Sequence, residues 1–123
     1  MTSHAEPHAA RAALERRRAD AVRGLARIAD GLTVVREGRN DGAADDEHDP
    51  EGPTMAAEWS RLTGGESDLR VEVAAIDAAI ARIDAGEYGS CIRCGRAIGA
   101  ERLRARPEAE LCIDCARLLE RSS

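Results

Sequence analysis

Apolar residues early in the chain alternate at intervals of four and three. Leu14, Ala21, Leu25, Ile28, Leu32 and Val35 share one stripe, interrupted at Arg18. A second stripe of Met55, Trp59, Leu62, Leu69, Val73, Ile76, Ile80 and Ile83 keeps the same alternation and is interrupted at Glu66. A mean period of about 3.5 keeps one helix face turned toward a partner, which is the spacing of a coiled coil. Pro7 suits an early helix position, and Pro53 with Thr54 can open the second run. From Gly38 to Gly52 the mixture of Gly, Asn, Asp and Pro continues neither helix, so a tip loop is expected at about 39–53. Each helix would then span about 30 residues, or ~45 Å. Similar lengths on either side of one loop predict an antiparallel hairpin over residues 1–85. Two amphipathic helices folded into a globule fit less well, because few large apolar residues lie off the stripes.

Glycines complicate this pattern. Gly24, Gly31 and Gly38 recur every seven residues, and each costs about 1 kcal/mol against alanine inside a helix. They either weaken the first helix or let a neighbour approach closely. Gly64 and Gly65 sit inside the second run, where Thr63 and Glu66 also match a capping box. The unbroken register across them favours one helix with a soft point.

Past Ala85, the turn from Gly86 to Gly89 ends the second helix and delivers the chain to Cys91. The four cysteines form two pairs, Cys91 with Cys94 and Cys112 with Cys115, each spaced by two residues. Such spacing lets both sulfurs of a pair face one centre, and two pairs complete a closed tetrahedral thiolate shell for one structural zinc. Gly95 fits the tight turn after the first pair. A closed shell leaves no position for water or substrate, so an enzyme is not expected. A disulfide pair is disfavoured by the cytoplasmic setting expected for the chain, and a thioredoxin-like redox motif lacks its βαβ context. His4, His8 and His48 are not needed as ligands. Residues 86–123 are therefore read as a zinc finger ending in a helix over 113–121, and the fold as mainly α.

Composition explains why a zinc staple is useful. Phe is absent, Trp59 and Tyr88 are the only large aromatics, and much of the 43% hydrophobic content is alanine, which favours helix but buries little surface. Net charge is −5, which argues against a protein held to nucleic acid by phosphate contacts alone. The charge is segregated, with an arginine-rich stretch over residues 11–27 and an acidic one over 41–51. No stretch approaches the roughly 18 apolar residues of a membrane span.

From Ile80 to Leu119 the chain resembles the DksA/TraR family of bacterial transcription regulators. The resemblance rests on Gly86, Tyr88-Gly89-x-Cys91-x-x-Cys94-Gly95, then Ile98-Gly99-x-Glu101-Arg102-Leu103-x-Ala105-Arg106-Pro107, then Leu111-Cys112-Ile113-Asp114-Cys115. It implies a coiled coil on a zinc finger that binds RNA polymerase without specific promoter contacts, with the coil in the secondary channel and an acidic tip near the catalytic region. The matching tip is Asp46-Glu47-His48-Asp49-Pro50-Glu51. Asp46 and Asp49 keep the family's Asp-x-x-Asp spacing, Glu51 stands where the motif has Ala, and Glu47 extends the acidic run. Some members also bind the alarmone ppGpp through basic residues where coil meets finger. Arg106 keeps one such position as a candidate basic contact, whereas Ala75 and Ala116 occupy two others. The loss of two cations predicts no ppGpp binding.

The function expected from the residues and the resemblance together is a non-enzymatic, monomeric regulator of RNA polymerase. Two alternatives use the same finger. A zinc-ribbon nucleic-acid binder would use Arg93, Arg96, Arg102, Arg104 and Arg106, but lacks aromatic stacking residues. A thiol-based stress sensor would release zinc on oxidation.

Overall fold

The computed structural model describes residues 7–42 and 52–122. Among the described residues are four helices: α1 (Pro7–Gly42), α2 (Gly52–Asp84), α3 (Ala100–Ala105) and α4 (Ile113–Ser122). No β-strand occurs among the described residues; one isolated antiparallel bridge joins Ser90 to Ala97. The chain divides into two compact units, one of Met1–Ala19 with Val73–Ser123 and the other of Asp20–Glu72. Among the described residues no helix is long and apolar enough to cross a membrane.

In the unit that carries the cysteines, the start of α1 packs on the end of α2 along the predicted stripes. Leu14, Ile76 and Ala79 are fully buried, and Ile80 and Ile83 pack against them. Burying a side chain such as Leu14 or Ile76 stabilises by about 1.5–3 kcal/mol. The polar interruption at Arg18 has a structural partner. Its guanidinium donates Nε–H to Asp77 Oδ1 at 2.6 Å and a second N–H to Oδ2 at 3.3 Å. Arg11 pairs with Asp84 and with Glu15. Part of the arginine-rich stretch is therefore used to join α1 to α2 within the chain.

In the other unit the helices run antiparallel, and the periodic glycines face the partner helix. A β-carbon built on Gly24 would lie 2.9 Å from Leu69 Cδ1, one on Gly31 3.3 Å from Leu62 Cδ1, and one on Gly38 3.3 Å from Met55 Cε. As α1 advances by seven residues its partner on α2 retreats by seven, which is an antiparallel coiled-coil register. A β-carbon built on Gly65 would lie 3.3 Å from Ile28 Cδ1, in the same register. Close approach, rather than a weakened helix, is the role of these glycines. α2 continues through Gly64 and Gly65 without a break.

Two boundaries differ from expectation. α1 runs on to Gly42 and so extends into the segment expected to be loop. Gly38, Asn40 and Asp41 lower helix propensity, but no proline interrupts the hydrogen-bond ladder there. The short α3 was not anticipated. Its six residues end one position before Arg106, which precedes Pro107 and adopts φ −136°, ψ 80°, outside the helical region.

Candidate metal centre

The path from helix to first cysteine pair is set by local backbone chemistry. At the end of α2, Gly86 donates to Ile83 O and Glu87 to Arg82 O at 3.1 and 2.8 Å, the paired bonds of a Schellman cap. Gly86 supplies the left-handed residue, φ +75°, that this cap requires. Past this turn the bridge between Ser90 and Ala97 closes a loop around Cys91 and Cys94. Within it Cys91 N–H donates to Arg96 O at 2.8 Å and Gly95 N–H to Cys91 O at 2.9 Å. Gly95 has φ +80° with open space around its missing β-carbon, so backbone conformation rather than crowding calls for glycine there. The second pair is built on the first turn of α4, where Ala116 N–H donates to Cys112 O at 2.9 Å and Cys115 N–H to Cys112 Sγ at 3.5 Å.

These turns bring the four sulfurs of Cys91, Cys94, Cys112 and Cys115 within 4.8 Å of one another. Cys94 Sγ and Cys112 Sγ lie 3.8 Å apart, and four ligands about 2.3 Å from one zinc would stand about 3.8 Å apart at the corners of a tetrahedron. The site therefore fits the ion it was predicted to hold. Cys91, Cys112 and Cys115 are buried with Ile98 and Leu103, and Tyr88, Ala109 and Leu111 pack around them, while Cys94 is exposed. The candidate metal site is thus also the small core of this region.

The thiols differ electrostatically. Burial pushes the Cys91 thiol up, but backbone hydrogen bonds from Cys112, Cys94 and Arg93 and one from the Cys115 side chain draw it down to about 6. A hydrogen bond from Arg93 favours the Cys115 thiolate, yet burial and the three neighbouring thiols raise Cys115 to about 11. Four sulfurs this close cannot all ionise unaided, because like charges oppose one another. A divalent cation at their centre removes that obstacle.

Arginines tie the finger to the helices of its own unit. Arg82, in the last turn of α2, donates to the carbonyl oxygens of Glu108 and Ala109 at 3.5 and 3.3 Å. Arg17 of α1 donates to Ala105 O at 3.2 Å and pairs with Glu108 at 3.4 Å. Arg102 Nε–H donates to Leu111 O at 2.9 Å, and the Tyr88 hydroxyl to Pro107 O at 2.9 Å. Burial raises the Tyr88 phenol above its ordinary value, with nearby Arg82 opposing and Glu108 reinforcing the shift. None of these carbonyl contacts was singled out from the sequence. Arginine in the last turn of a helix is a general signal, but its acceptor is a backbone atom and leaves no residue pattern.

Arg106 is exposed, and its Nε lies 3.8 Å from Glu108. It lines a groove of about 410 Å³ with Ala74, Ala75, Arg102, Glu108 and Glu110 among other residues. Arg106 and Ala75 thus share one groove; Ala116 is not among its lining residues. The acidic residues Asp46, Glu47, Asp49 and Glu51 lie outside the described residues.

Residues 86–121 match the prokaryotic dksA/traR C4-type zinc finger family. The chain is 49% identical over 45 residues to the RNA polymerase-binding transcription factor DksA of Haemophilus influenzae, covering 37% of this chain and 31% of that protein. It is 44% identical over 45 residues to the factor of the same name from Escherichia coli K12, of which it covers 30%. The match to the Buchnera aphidicola protein is 36% over 67 residues and covers 44% of it. The first two matches span about a third of the length of those relatives. Among solved structures, transcription factor DksA2 from Pseudomonas aeruginosa aligns with a TM-score of 0.54 over 90% of this chain and 85% of that one, at 22% identity. At that identity the likeness concerns the fold.

Proposed function

Taking the chain as a member of the DksA/TraR family through the zinc finger of residues 86–121, we propose that it is a non-enzymatic regulator that binds RNA polymerase. The observation that carries this reading is the finger itself, which nearly half matches proteins named as RNA polymerase-binding factors. The fold-level likeness to DksA2 over 90% of the chain supports extending the reading beyond the finger.

In this reading one zinc held by Cys91, Cys94, Cys112 and Cys115 is structural. Its chemistry is to neutralise four thiolates and fix two turns on one centre. The hairpin enters the secondary channel, and Asp46 and Asp49, flanked by Glu47 and Glu51, act at the tip by placing negative charge near the active site. The protein works as a monomer in the cytoplasm and makes no specific DNA contacts. It does not capture ppGpp, because Arg106 shares its groove with Glu108 and Glu110 and the neighbouring helix offers Ala75.

The test is affinity purification of the tagged chain from its own host. Recovery of polymerase core subunits supports the reading. Their absence, with the tagged protein folded and zinc-loaded, would overturn it. Steeply salt-dependent binding to DNA alone would favour the nucleic-acid reading instead.

A further inference from the structure

We propose that Arg93 is a positioning residue of the zinc centre, whose guanidinium contact to the Cys115 sulfur offsets thiolate charge and slows release of the ion. The inference rests on the structural-zinc reading and concerns how firmly the site holds its metal.

Four thiolates on one divalent ion leave a net charge of about −2 on the cluster, in a site where three of the four cysteines are buried. Neutral N–H groups help only in part. Cys112 Sγ receives the Cys115 backbone N–H. Among the described residues Arg93 alone brings a full positive charge within hydrogen-bond reach of a ligand sulfur, with its NH1 3.6 Å from Cys115 Sγ. Hydrogen bonds from charged donors are the stronger ones, and arginine stays protonated at any relevant pH.

Position adds to charge. Arg93 lies between Cys91 and Cys94 in the first turn but reaches Cys115 in the second. It therefore links the two halves of the site by a bond other than the metal. A thiolate that leaves the ion must first part from this cation, or drag the first turn with it. Groups that orient metal ligands in this way typically contribute about 10–100-fold to metal affinity.

Arg96 supplies the control. It is an exposed arginine in the same turn, and no contact of its side chain to a sulfur occurs among the described residues. Replacing it removes the same charge from the same loop without removing a donor.

The experiment uses the full chain and three variants, Arg93→Met, Arg93→Lys and Arg96→Met, purified anaerobically. Zinc content is measured first, followed by the rate of zinc transfer to an excess of a chromogenic chelator. The parent is expected to hold zinc. Arg93→Met should release it about ten-fold faster, Arg93→Lys within about three-fold of the parent because the charge is kept, and Arg96→Met at the parent rate. Arg93→Met purifying without zinc while Arg93→Lys retains it would support the inference equally. Equal rates for parent and Arg93→Met would overturn it, as would Arg93→Lys or Arg96→Met releasing zinc as fast as Arg93→Met. A parent that holds no zinc would overturn the zinc reading itself, and its metal content is known before any variant is compared.

Discussion

Replacing Gly64 and Gly24 by alanine, one at a time, should have different consequences although both lie inside long helices. In either helix alanine relieves about 1 kcal/mol of backbone cost relative to glycine. Gly64 is exposed and a β-carbon there meets nothing within 4 Å, so the whole gain should appear as stability. At Gly24, which is buried, the new carbon would stand 2.9 Å from Leu69 Cδ1, well inside the 3.5–4.0 Å at which two carbons attract. Leu69 is half-buried, and the clashing atom is the free end of its side chain. It can turn aside, so the packing cost should fall near the lower end of the roughly 1–3 kcal/mol seen for overfilled cores. Gly24→Ala should then gain nothing, or lose up to about 2 kcal/mol, while Gly64→Ala gains about 1 kcal/mol. The assay is urea unfolding followed by helical circular dichroism at fixed excess zinc, since metal bound only by the folded state would otherwise shift the midpoint. A double-mutant cycle with Leu69→Ala isolates the contact, and the loss in the double variant should be smaller than the sum of the single losses. If Gly24→Ala and Gly64→Ala stabilise equally and the cycle shows no coupling, the helices do not meet at Gly24 and the register argument fails.

Three further outcomes are expected. Metal analysis should find one zinc per chain, and chelation should abolish the ordered finger while helix signal from α1 and α2 partly survives; anaerobically purified protein without zinc would refute this. Asp77 has its carboxyl lowered below the ordinary value by the hydrogen bond from Arg18, with burial opposing and the Arg18 charge assisting. Its contribution is therefore present above the unfolded carboxylate value, near pH 4, and lost as pH falls through the lowered folded value. Asp77→Asn should be less stable than the parent at neutral pH and converge on it in acid, and a gap that stays constant with pH would contradict the assignment. Replacing both Asp46 and Asp49 by Asn should leave melting and polymerase binding near the parent while changing the effect in a transcription assay, whereas unaltered regulation would make the tip a connector.

The parts of this fold most legible in the sequence are those with a period or a spacing. Leu14 and Ile76, fully buried, were each members of a predicted stripe, because burial on one helix face must recur with the helix. The cysteines were legible because two turns that aim sulfurs at one point require short fixed spacings. Gly24, Gly31 and Gly38 were visible as a repeat but ambiguous, since the cost of glycine is local while its benefit depends on Leu69, Leu62 and Met55 across the interface. The interruption at Arg18 was visible in the stripe, but its partner Asp77, on the other helix, was not. Arg82, Arg17 and Arg93 were opaque because they act on backbone oxygens or on a distant sulfur. The extension of α1 to Gly42 is not legible because Gly38, Asn40 and Asp41 are weak helix formers whose local cost does not by itself end a helix.

The glycine register also restricts which changes of length the paired helices could tolerate. Deleting one residue between Gly24 and Gly31 would turn everything beyond it by about 100° on the helix and present a different side chain to Leu62. Two deletions of a single residue, one in each helix, would not cancel even if they fell opposite each other, because each would turn its own seam about 100° away from the interface. A heptad added to α1 and another added opposite it on α2 would return every later glycine to a large side chain. Growth and shrinkage of this interface are thus quantised, and natural length variants of the two helices should differ in steps of seven residues made in pairs.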